Sequence, residues 1–391
     1  MKILTRYVLL DLVKVFLLIL IALTLAIFIL LVGKEAVDKG LGLGPLLRMV
    51  PYLLPQAMQF AVPATMLLAT TYVYGRMSSY NEIVAIKALG ISPMTVIWPA
   101  LALATLVSFA GVALNDLAVS WGRNGLERVF IESIEEVAYR QLRVNRNFTI
   151  GPWTITVRRV DGHKLIQPMF VEQPSSGRRG QLALAEEAEL FAFPDEGKLL
   201  VRLRNGEVES PLKAIHPDWF ELEIDYSSFV GSHARSPSNY ALREIGPAVE
   251  SQRERMEDIA QSMTAQAGFA MLTGNFDALA ADAWQPFEKE MSTARQRLYR
   301  LHTEPWRRWA NGFSCLCFVL VGAPLAVWLR HAEFLAIFFA CFLPILLVYY
   351  PLIAATVDQA KDGVLPPPSV WLGNFVLALI GGWLLRRVIR Y

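Results

Sequence analysis

The chain has 391 residues, of which 54% are hydrophobic and 18% charged, and its formal net charge is +2 at pH 7. This balance argues against a nucleic-acid-binding protein, because no basic stripe stands out beyond the residues that flank apolar segments. The pattern G-x-x-x-x-G-K-[ST] does not occur, so the chain is not predicted to hydrolyse ATP by a P-loop.

Six nearly uncharged segments dominate the sequence. They cover residues 15–32, 49–75, 88–115, 309–329, 334–357 and 364–385. A helix that crosses the hydrocarbon core of a bilayer, about 30 Å thick, needs roughly 20 residues. A helix in a soluble core has no reason to stay uncharged over such a length. The sequence therefore predicts six transmembrane helices, three before and three after a long polar region.

The basic residues beside these segments predict the orientation of the chain. With the N-terminus inside, nine of them flank the spans on the inner side and four on the outer side. The nine are Lys2, Arg6, Lys14, Arg76, Lys87, Arg330, Arg386, Arg387 and Arg390, and the four are Lys34, Lys39, Arg48 and Lys361. This asymmetry obeys the positive-inside rule. Both termini are therefore expected in the cytoplasm, and the polar region outside.

The polar region begins with a pattern of short strands. Strand signals occur at residues 153–157, 167–171, 181–193, 198–204 and 219–226, with turn-forming residues between them. Strands of this length without intervening helical patterns favour an antiparallel sandwich or a jelly roll. We therefore predict an all-β domain of jelly-roll type over residues 145–235, preceded by a connector at 117–144.

The second part of the polar region, residues 236–305, favours helix. Apolar residues such as Met256, Ile259 and Met263 recur at helical spacing among charged ones. Gly274 and Pro286 are expected to break the pattern. The sequence thus predicts one or two amphipathic helices that connect the β domain to spans four to six in residues 306–391.

An inner loop near residues 79–90 has the signals of a short helix. Ser79 and Glu82 have the spacing of a capping box, in which each residue satisfies a backbone N–H at the helix start. Gly90 can end the helix, and Pro93 prevents its continuation.

The predicted short helix exposes apolar residues on the inner side of the first membrane region, residues 1–116. Ile83, Val84 and Ile86 have too little surrounding chain to cover them, which indicates a partner surface. In the alternative interpretation the helix lies on the membrane surface, and Glu82 serves only its own N-terminus.

Four cations stand at the outer ends of the first and fourth spans: Lys34, Lys39, Arg307 and Arg308. Cations there could hold the phosphates of an anionic lipid through charge and hydrogen bonds. The alternative is that they are ordinary loop or snorkelling side chains.

No metal or catalytic centre is predicted. The five histidines form no H-x-x-x-H or Cys/His pattern, and Cys315, Cys317 and Cys341 lie inside apolar segments. A membrane-embedded enzyme acting on lipid stays a less favoured alternative, because it needs converging acid, base, nucleophile or metal ligands near a span end.

Several local motifs resemble one membrane-protein family. The inner loop reads Glu82-Ile-Val-Ala-Ile-Lys-Ala-Leu-Gly-Ile-Ser92, the fourth span contains Gly322-Ala-Pro-Leu325, and Leu365-Pro-Pro-Pro-Ser-Val-Trp-Leu-Gly-Asn374 leads into the sixth. Further matches are Arg6-Tyr7 and the stretch from Ala185-Glu186 to Asn205-Gly206. In this order, around a three-plus-three arrangement, they resemble the LptF/LptG permeases of the lipopolysaccharide export ABC transporter.

The resemblance implies a non-catalytic subunit of the cell inner membrane. It implies pairing with a second LptF/LptG-type permease and with a cytoplasmic ATPase dimer that binds ATP and Mg²⁺, so that this chain itself holds no cofactor. Lipopolysaccharide, or another anionic glycolipid, would pass between the permeases to periplasmic jelly-roll domains and a bridge protein. A permease for another lipid or for lipoproteins is the alternative, against which the three-plus-three split argues.

By the same resemblance, the loop near residues 79–90 would form a coupling helix that docks on the ATPase. Glu82 matches the acidic residue of that helix, and Ile83, Ile86 and Gly90 complete the candidate contact.

Overall fold

In the computed structural model, α-helices account for most of the chain outside one β-rich region. The structure describes residues 2–39, 43–150, 152–172, 182–193, 198–209, 213–216, 218–225, 236–274, 281–329 and 333–390. The helices are α1 (Lys2–Lys39), α2 (Leu43–Ser79), α3 (Glu82–Ala88), α4 (Met94–Leu117), α5 (Asn124–Glu132), α6 (Ile134–Asn145), α7 (Leu242–Thr273), α8 (Ala281–Trp328), α9 (Phe334–Pro344), α10 (Tyr350–Lys361) and α11 (Leu372–Arg390). Short π-helical turns lie at Ala118–Arg123 and Ile345–Tyr349, and 3₁₀ turns at Pro237–Asn239 and Pro367–Trp371.

Six helical segments of the described chain are long and apolar enough to cross a membrane. They are Ile3–Val37, Gly44–Ser79, Met94–Phe130, Trp284–Trp328, Phe334–Lys361 and Pro367–Arg390. Each overlaps one of the six apolar segments of the sequence. A helix satisfies its backbone hydrogen bonds internally, as the hydrocarbon core requires. The helices and the β-rich region agree with a helical membrane protein that carries a β domain.

The predicted break at Gly274 is confirmed, but the one at Pro286 is wrong. Gly274 follows α7 with φ 68°, a left-handed conformation that ends helices readily in glycine. In contrast, α8 has 48 residues and runs through Pro286, Pro305 and Pro324. Each proline removes one backbone hydrogen bond. The helix α8 packs against α4, α7 and α11, and the predicted connector and fourth span form one continuous helix.

By its internal contacts the chain divides into two compact units, and the first is helical. It comprises Met1–Ile27, Pro55–Ser120 and Ser236–Tyr391. Leu12, Met66 and Val319, from three different helices, are fully buried in its apolar core. Small residues let α4 and α8 approach closely, since a Cβ added to Gly312 would lie 2.9 Å from the backbone nitrogen of Val112.

The second unit comprises Phe28–Leu54 and Trp121–Arg235 and contains the strands. They are β1 (Asn147–Ile150), β2 (Trp153–Thr156), β3 (Arg159–Asp161), β4 (Lys164–Ile166), β5 (Met169–Glu172), β6 (Leu182–Leu184), β7 (Glu187–Phe193), β8 (Lys198–Arg204), β9 (Gly206–Glu209), β10 (Lys213–His216) and β11 (Phe220–Asp225). A six-stranded sheet has the order β1-β2-β5-β6-β9-β10 and a five-stranded sheet the order β11-β8-β7-β4-β3. All described pairings are antiparallel, and the chain changes sheet after every second strand.

Both sheets contribute to one apolar cluster. Ile155 and Phe170 of the larger sheet and Leu190, Val201 and Leu203 of the smaller one are at most 1% exposed. The helix α6 adds buried side chains to the same cluster. The unit thus has a core of its own, as a domain without disulfides requires.

The single strand predicted over residues 181–193 is wrong, because the structure has two strands there. In β6 the buried residue is Ala183, whereas in β7 the buried residues are Ala188 and Leu190. The buried face thus shifts from odd to even positions, which one continuous strand cannot do. Glu186 lies at the change of sheet, where its carbonyl accepts a hydrogen bond from the Gln167 backbone N–H at 2.9 Å.

Candidate functional site

The short helix α3 forms, but its predicted capping box does not. Ser79 is the last residue of α2, and its hydroxyl donates to the Gly75 carbonyl at 2.9 Å, one helical turn back. Asn81 precedes α3 with φ 59° and makes no side-chain capping bond. Asparagine tolerates this left-handed conformation better than most residues. The capping interpretation was therefore wrong because α2 continues one turn further than its sequence signals indicate.

The end of α3 follows the prediction for Gly90. Its φ is 75°, and its N–H donates to the Lys87 carbonyl at 2.9 Å. The next N–H, of Ile91, donates to the Ile86 carbonyl at 3.2 Å. These two bonds are the Schellman pair that satisfies the last carbonyls of a helix. The role of Gly90 in ending the helix is confirmed.

The two faces of α3 differ from the prediction. Ile83 is only 3% exposed and belongs to the apolar core of the first unit, against which Ile86 also packs. The exposed apolar residues are Val84 at 42% and Leu89 at 76%. The expectation that Ile83 faces a partner is therefore wrong, because positions 83 and 86 lie one helical turn apart on the face turned toward the protein.

Glu82 lies half-buried in the first turn of α3, where its carboxylate interacts favourably with the helix dipole. Among the described residues, no cation lies within salt-bridge distance of it. Its charge is thus available to a partner, as are the exposed side chains of Val84 and Leu89.

A second site surrounds Arg308 on α8, whose side chain is 1% exposed. Its guanidinium donates to Asp116 Oδ1 at 2.9 Å, to the Tyr240 carbonyl at 2.5 Å and to the Ser238 carbonyl at 3.3 Å. The fully buried carboxylate of Glu304 accepts from the Ser238 hydroxyl at 3.0 Å. We call these five residues the Arg308 cluster. It ties the end of α4 to α8 and to the segment that precedes α7.

The burial of Arg308 argues against its predicted contact with a lipid headgroup. All of its described contacts are internal, and burial keeps its guanidinium from a ligand outside the unit. Arg307 remains a candidate, since its side chain is 29% exposed. It nevertheless donates to Glu304 Oε2 from both Nε at 3.2 Å and Nη2 at 2.7 Å.

The other two candidate cations lie near the end of α1. Lys34 is exposed and has no ion pair or side-chain hydrogen bond with the described part of the chain. Lys39 is the last residue of α1, and its side chain lies outside what the structure describes. Lys34 belongs to the second unit and Arg307 to the first.

The second unit contains a groove that sequence reasoning missed. It has a volume of about 500 Å³ and is lined by the start of α2, by α6 and by the turn between β3 and β4. Tyr139 anchors α6 beside it: its hydroxyl donates to the His163 carbonyl at 2.6 Å and accepts from the Leu190 N–H at 2.8 Å. Burial raises the pKa of Tyr139 to about 12. The spacing of apolar residues in α6 could have predicted that helix. It could not have predicted the hydrogen bonds of the Tyr139 hydroxyl, because their partners lie in distant strands and turns.

Metal ligands do not cluster in the part of the chain that the structure describes. There, no three His, Cys, Asp or Glu side chains are placed to hold an ion together. Cys315, Cys317 and Cys341 are buried free thiols.

Comparison with protein families gives one match over nearly the whole chain. The family described as lipopolysaccharide export system permease LptF/LptG matches residues 6–387. The chain belongs to the LptF/LptG family. Comparison with curated proteins gives no match.

Membership in the LptF/LptG family confirms the resemblance seen in the sequence. It identifies a permease of lipopolysaccharide export, a transporter subunit that works within an ABC system. With six candidate spans, this LptF/LptG chain is an integral protein of the inner membrane. The matched range includes both α3 and the Arg308 cluster.

Proposed function

We propose that this chain is the permease subunit that extracts lipopolysaccharide, or a similar anionic glycolipid, from the inner membrane and passes it toward the outer membrane. The energy comes from a separate ATPase dimer that binds ATP and Mg²⁺. One observation carries the coupling part of this proposal: α3 is anchored through Ile83 in the core of the first unit, while Val84 and Leu89 stay exposed.

This arrangement suits a coupling helix. Movement of an ATPase that contacts Val84, Leu89 and Glu82 would act on Ile83 and Ile86, which pack among the membrane helices. The Schellman motif at Gly90 satisfies the last carbonyls of α3 and keeps its C-terminal turn helical. A force that the ATPase applies to α3 would therefore move the helix as one unit.

The proposed orientation places both termini and α3 in the cytoplasm and the β domain in the periplasm. Nine basic residues flank the spans on the cytoplasmic side in this orientation, against four on the other. Trp306 and Trp309, which are 43% and 40% exposed on α8, suit the outer membrane interface. The chain thus has three spans before and three after its β domain.

For the β domain we propose a jelly roll that continues into a periplasmic bridge protein. The strands β1 and β10 lie at the edges of the larger sheet, and β3 and β11 at the edges of the smaller. An edge strand presents unpaired N–H and C=O groups to another chain. Apolar residues between the sheets suit acyl chains, which lose about 0.8 kcal/mol per CH₂ when exposed to water.

We propose Lys34, Lys39 and Arg307 as contacts of lipid phosphates, each at the outer end of its own predicted span. Lys34 supports this assignment best, because it is exposed and has no partner among the described residues. A second LptF/LptG-type permease would supply the other wall of the lipid entrance.

The direct test is purification of the native complex in mild detergent, with identification of the co-eluting proteins and lipid. An ATPase, a second permease and lipopolysaccharide are expected. In the reconstituted complex, lipopolysaccharide should stimulate ATP hydrolysis, and Glu82→Ala should lower that stimulation. As a matched control, Glu254→Ala removes an exposed carboxylate from α7.

Two outcomes would contradict the proposal. Recovery of lipoprotein instead of glycolipid would assign the chain to another kind of exporter. If lipopolysaccharide stimulated ATP hydrolysis equally in Glu82→Ala and wild type, α3 would have no role in energy coupling.

A further inference from the structure

A groove beside α3 shares Ile83 and Val84 with the proposed coupling helix, but its other lining residues have no role in the function proposed above. It lies in the first unit between the end of α2, one face of α3, the end of α8 and the last turns of α11. Its volume is about 470 Å³, and sites for small molecules typically measure roughly 300–1,000 Å³. Three of the candidate spans end at this groove, at Ser79, Trp328 and Arg390. It therefore lies where these helices leave the membrane.

The lining of the groove combines apolar side chains with positive charge. Val84, Val327 and Trp328 supply apolar surface, and Lys87 and Arg387 supply two cations. None of its described lining residues is acidic. Two cations that share a groove without a neutralising carboxylate attract an anion, and the apolar wall strengthens that attraction by excluding water.

Both cations are held in place by other contacts. The guanidinium carbon of Arg387 lies 5.0 Å from the ring centroid of Trp328 and 5.5 Å from that of Trp383. Such cation–π contacts position a guanidinium through its face and leave its in-plane N–H donors for a phosphate. Lys87 donates to the Val388 carbonyl at 3.1 Å, which uses one of its three ammonium hydrogens.

The surroundings favour a membrane lipid over a soluble anion. Trp328 and Trp383 are 53% and 60% exposed, and exposed tryptophans at the ends of spans are typical of the membrane interface. Basic pockets between transmembrane helices on the cytoplasmic side bind the headgroups of anionic lipids.

We propose that this groove binds the phosphate headgroup of an anionic phospholipid from the cytoplasmic leaflet. Lys87 and Arg387 hold the phosphate, and Trp328 contacts the apolar part of the lipid. The choice of leaflet rests on the orientation given under the proposed function. Because Lys87 belongs to α3 and Arg387 to α11, one lipid bridges the coupling helix and the C-terminal helix.

The test counts lipids on the complete transporter. The complex, purified in mild detergent, is titrated with phosphatidylglycerol and, in parallel, with zwitterionic phosphatidylcholine, and native mass spectrometry measures occupancy. The variants are Lys87→Gln, Arg387→Gln and their combination. Arg386→Gln is the matched control, since it removes the same charge from the neighbouring position of α11, outside the groove.

Each basic residue near an anionic lipid contributes about 1 kcal/mol, so each single variant is expected to weaken phosphatidylglycerol binding about fivefold and the double variant about 25-fold. Arg386→Gln and the phosphatidylcholine titration should show no such change. Equal melting temperatures would show that the variants stay folded.

A second measurement needs no variant. In nanodiscs, the wild-type complex should immobilise more spin-labelled phosphatidylglycerol than spin-labelled phosphatidylcholine, and equal immobilisation of the two would overturn the proposal. So would undiminished phosphatidylglycerol binding by the double variant. Complete displacement of the lipid by inorganic phosphate would assign the groove to a soluble anion instead.

Loss of the ATPase from the double variant, with lipid binding unchanged, would assign the groove to the protein partner. These readouts count bound phospholipid and not export. They can therefore fail or succeed separately from the proposed transport of lipopolysaccharide.

Discussion

Arg308 donates to Asp116 Oδ1 at 2.9 Å, although the two residues lie 192 positions apart in the sequence. The same carboxylate oxygen accepts the backbone N–H of Leu242 at 2.7 Å. One acid thus holds a buried arginine and the first residue of α7. This contact fixes where the chain re-enters the helical unit after the β domain.

Removal of the Arg308 charge should destabilise the protein strongly. Arg308→Met leaves Asp116 and Glu304 without their buried cation, which typically costs about 3–5 kcal/mol. Thermal unfolding of the purified protein in detergent measures the effect as a lower melting temperature. Arg300→Met, which removes an exposed arginine from the same helix, is the matched control and should change stability by only about 0.5 kcal/mol. Equal effects of both variants would contradict the assigned role.

Substitutions on the two faces of α3 should separate coupling from stability. Val84→Asp and Leu89→Asp place charges on exposed positions, so they should change stability by only about 0.5 kcal/mol while lowering stimulated ATP hydrolysis. Ile83→Asp buries an unpaired charge and should prevent normal accumulation of the protein. Normal stimulation of ATP hydrolysis in both Val84→Asp and Leu89→Asp would show that this face of α3 does not contact the ATPase.

Gly90 should resist replacement, because its φ is 75°. A Cβ at this position is strained, and Gly90→Ala should cost about 1 kcal/mol. Hydrogen exchange should show faster opening of the amides of Gly90 and Ile91. The control is Gly382→Ala in α11, where an added Cβ meets nothing within 4 Å and the helix favours alanine by about 1 kcal/mol. The two variants should therefore shift stability in opposite directions.

Cysteine labelling in intact cells tests the orientation. The native cysteines are buried, so background reaction with an impermeant thiol reagent should be low. Ser236→Cys should react from the periplasm and Ser79→Cys should not, although both positions are exposed. Permeabilised cells provide the control, because both should react there. Labelling of position 79 in intact cells would show that the orientation is opposite to the one proposed.

Tyr139 should make the β-containing unit sensitive to high pH. Burial raises its pKa to about 12 from 10.0, so the folded state favours the neutral phenol. Its contribution is fully present below pH 10 and is lost as the pH rises through about 12. Unfolding midpoints measured across this range should fall more steeply for wild type than for Tyr139→Phe. Parallel slopes would contradict the prediction.

At neutral pH, Tyr139→Phe should destabilise the same unit by about 1–3 kcal/mol. The reason is that the buried N–H of Leu190 loses its acceptor. Tyr240→Phe is no substitute as a control, since its hydroxyl also binds a neighbour, Arg297, at 3.3 Å. Tyr80→Phe, at an exposed turn, is the appropriate comparison.

Local sequence signals were enough to predict the six helical spans and the β-rich insertion and to identify the family. In a bilayer, a long uncharged segment satisfies its backbone hydrogen bonds internally by forming a helix. Composition and length therefore suffice to predict the spans. The helix end at Gly90 was equally predictable, because a helix that ends in a left-handed conformation favours glycine at that position. These features depend on neighbours in the sequence and on the solvent.

In contrast, which side chains of α3 are buried and which are exposed follows from the three-dimensional fold. Ile83 and Val84 are adjacent and similarly apolar, yet one is buried against distant helices and the other is exposed. Arg308 likewise read as a surface cation, because its partner Asp116 belongs to another helix far away in the chain. Burial and ion pairing arise from contacts between remote segments, and the local pattern of residues does not encode which segments meet.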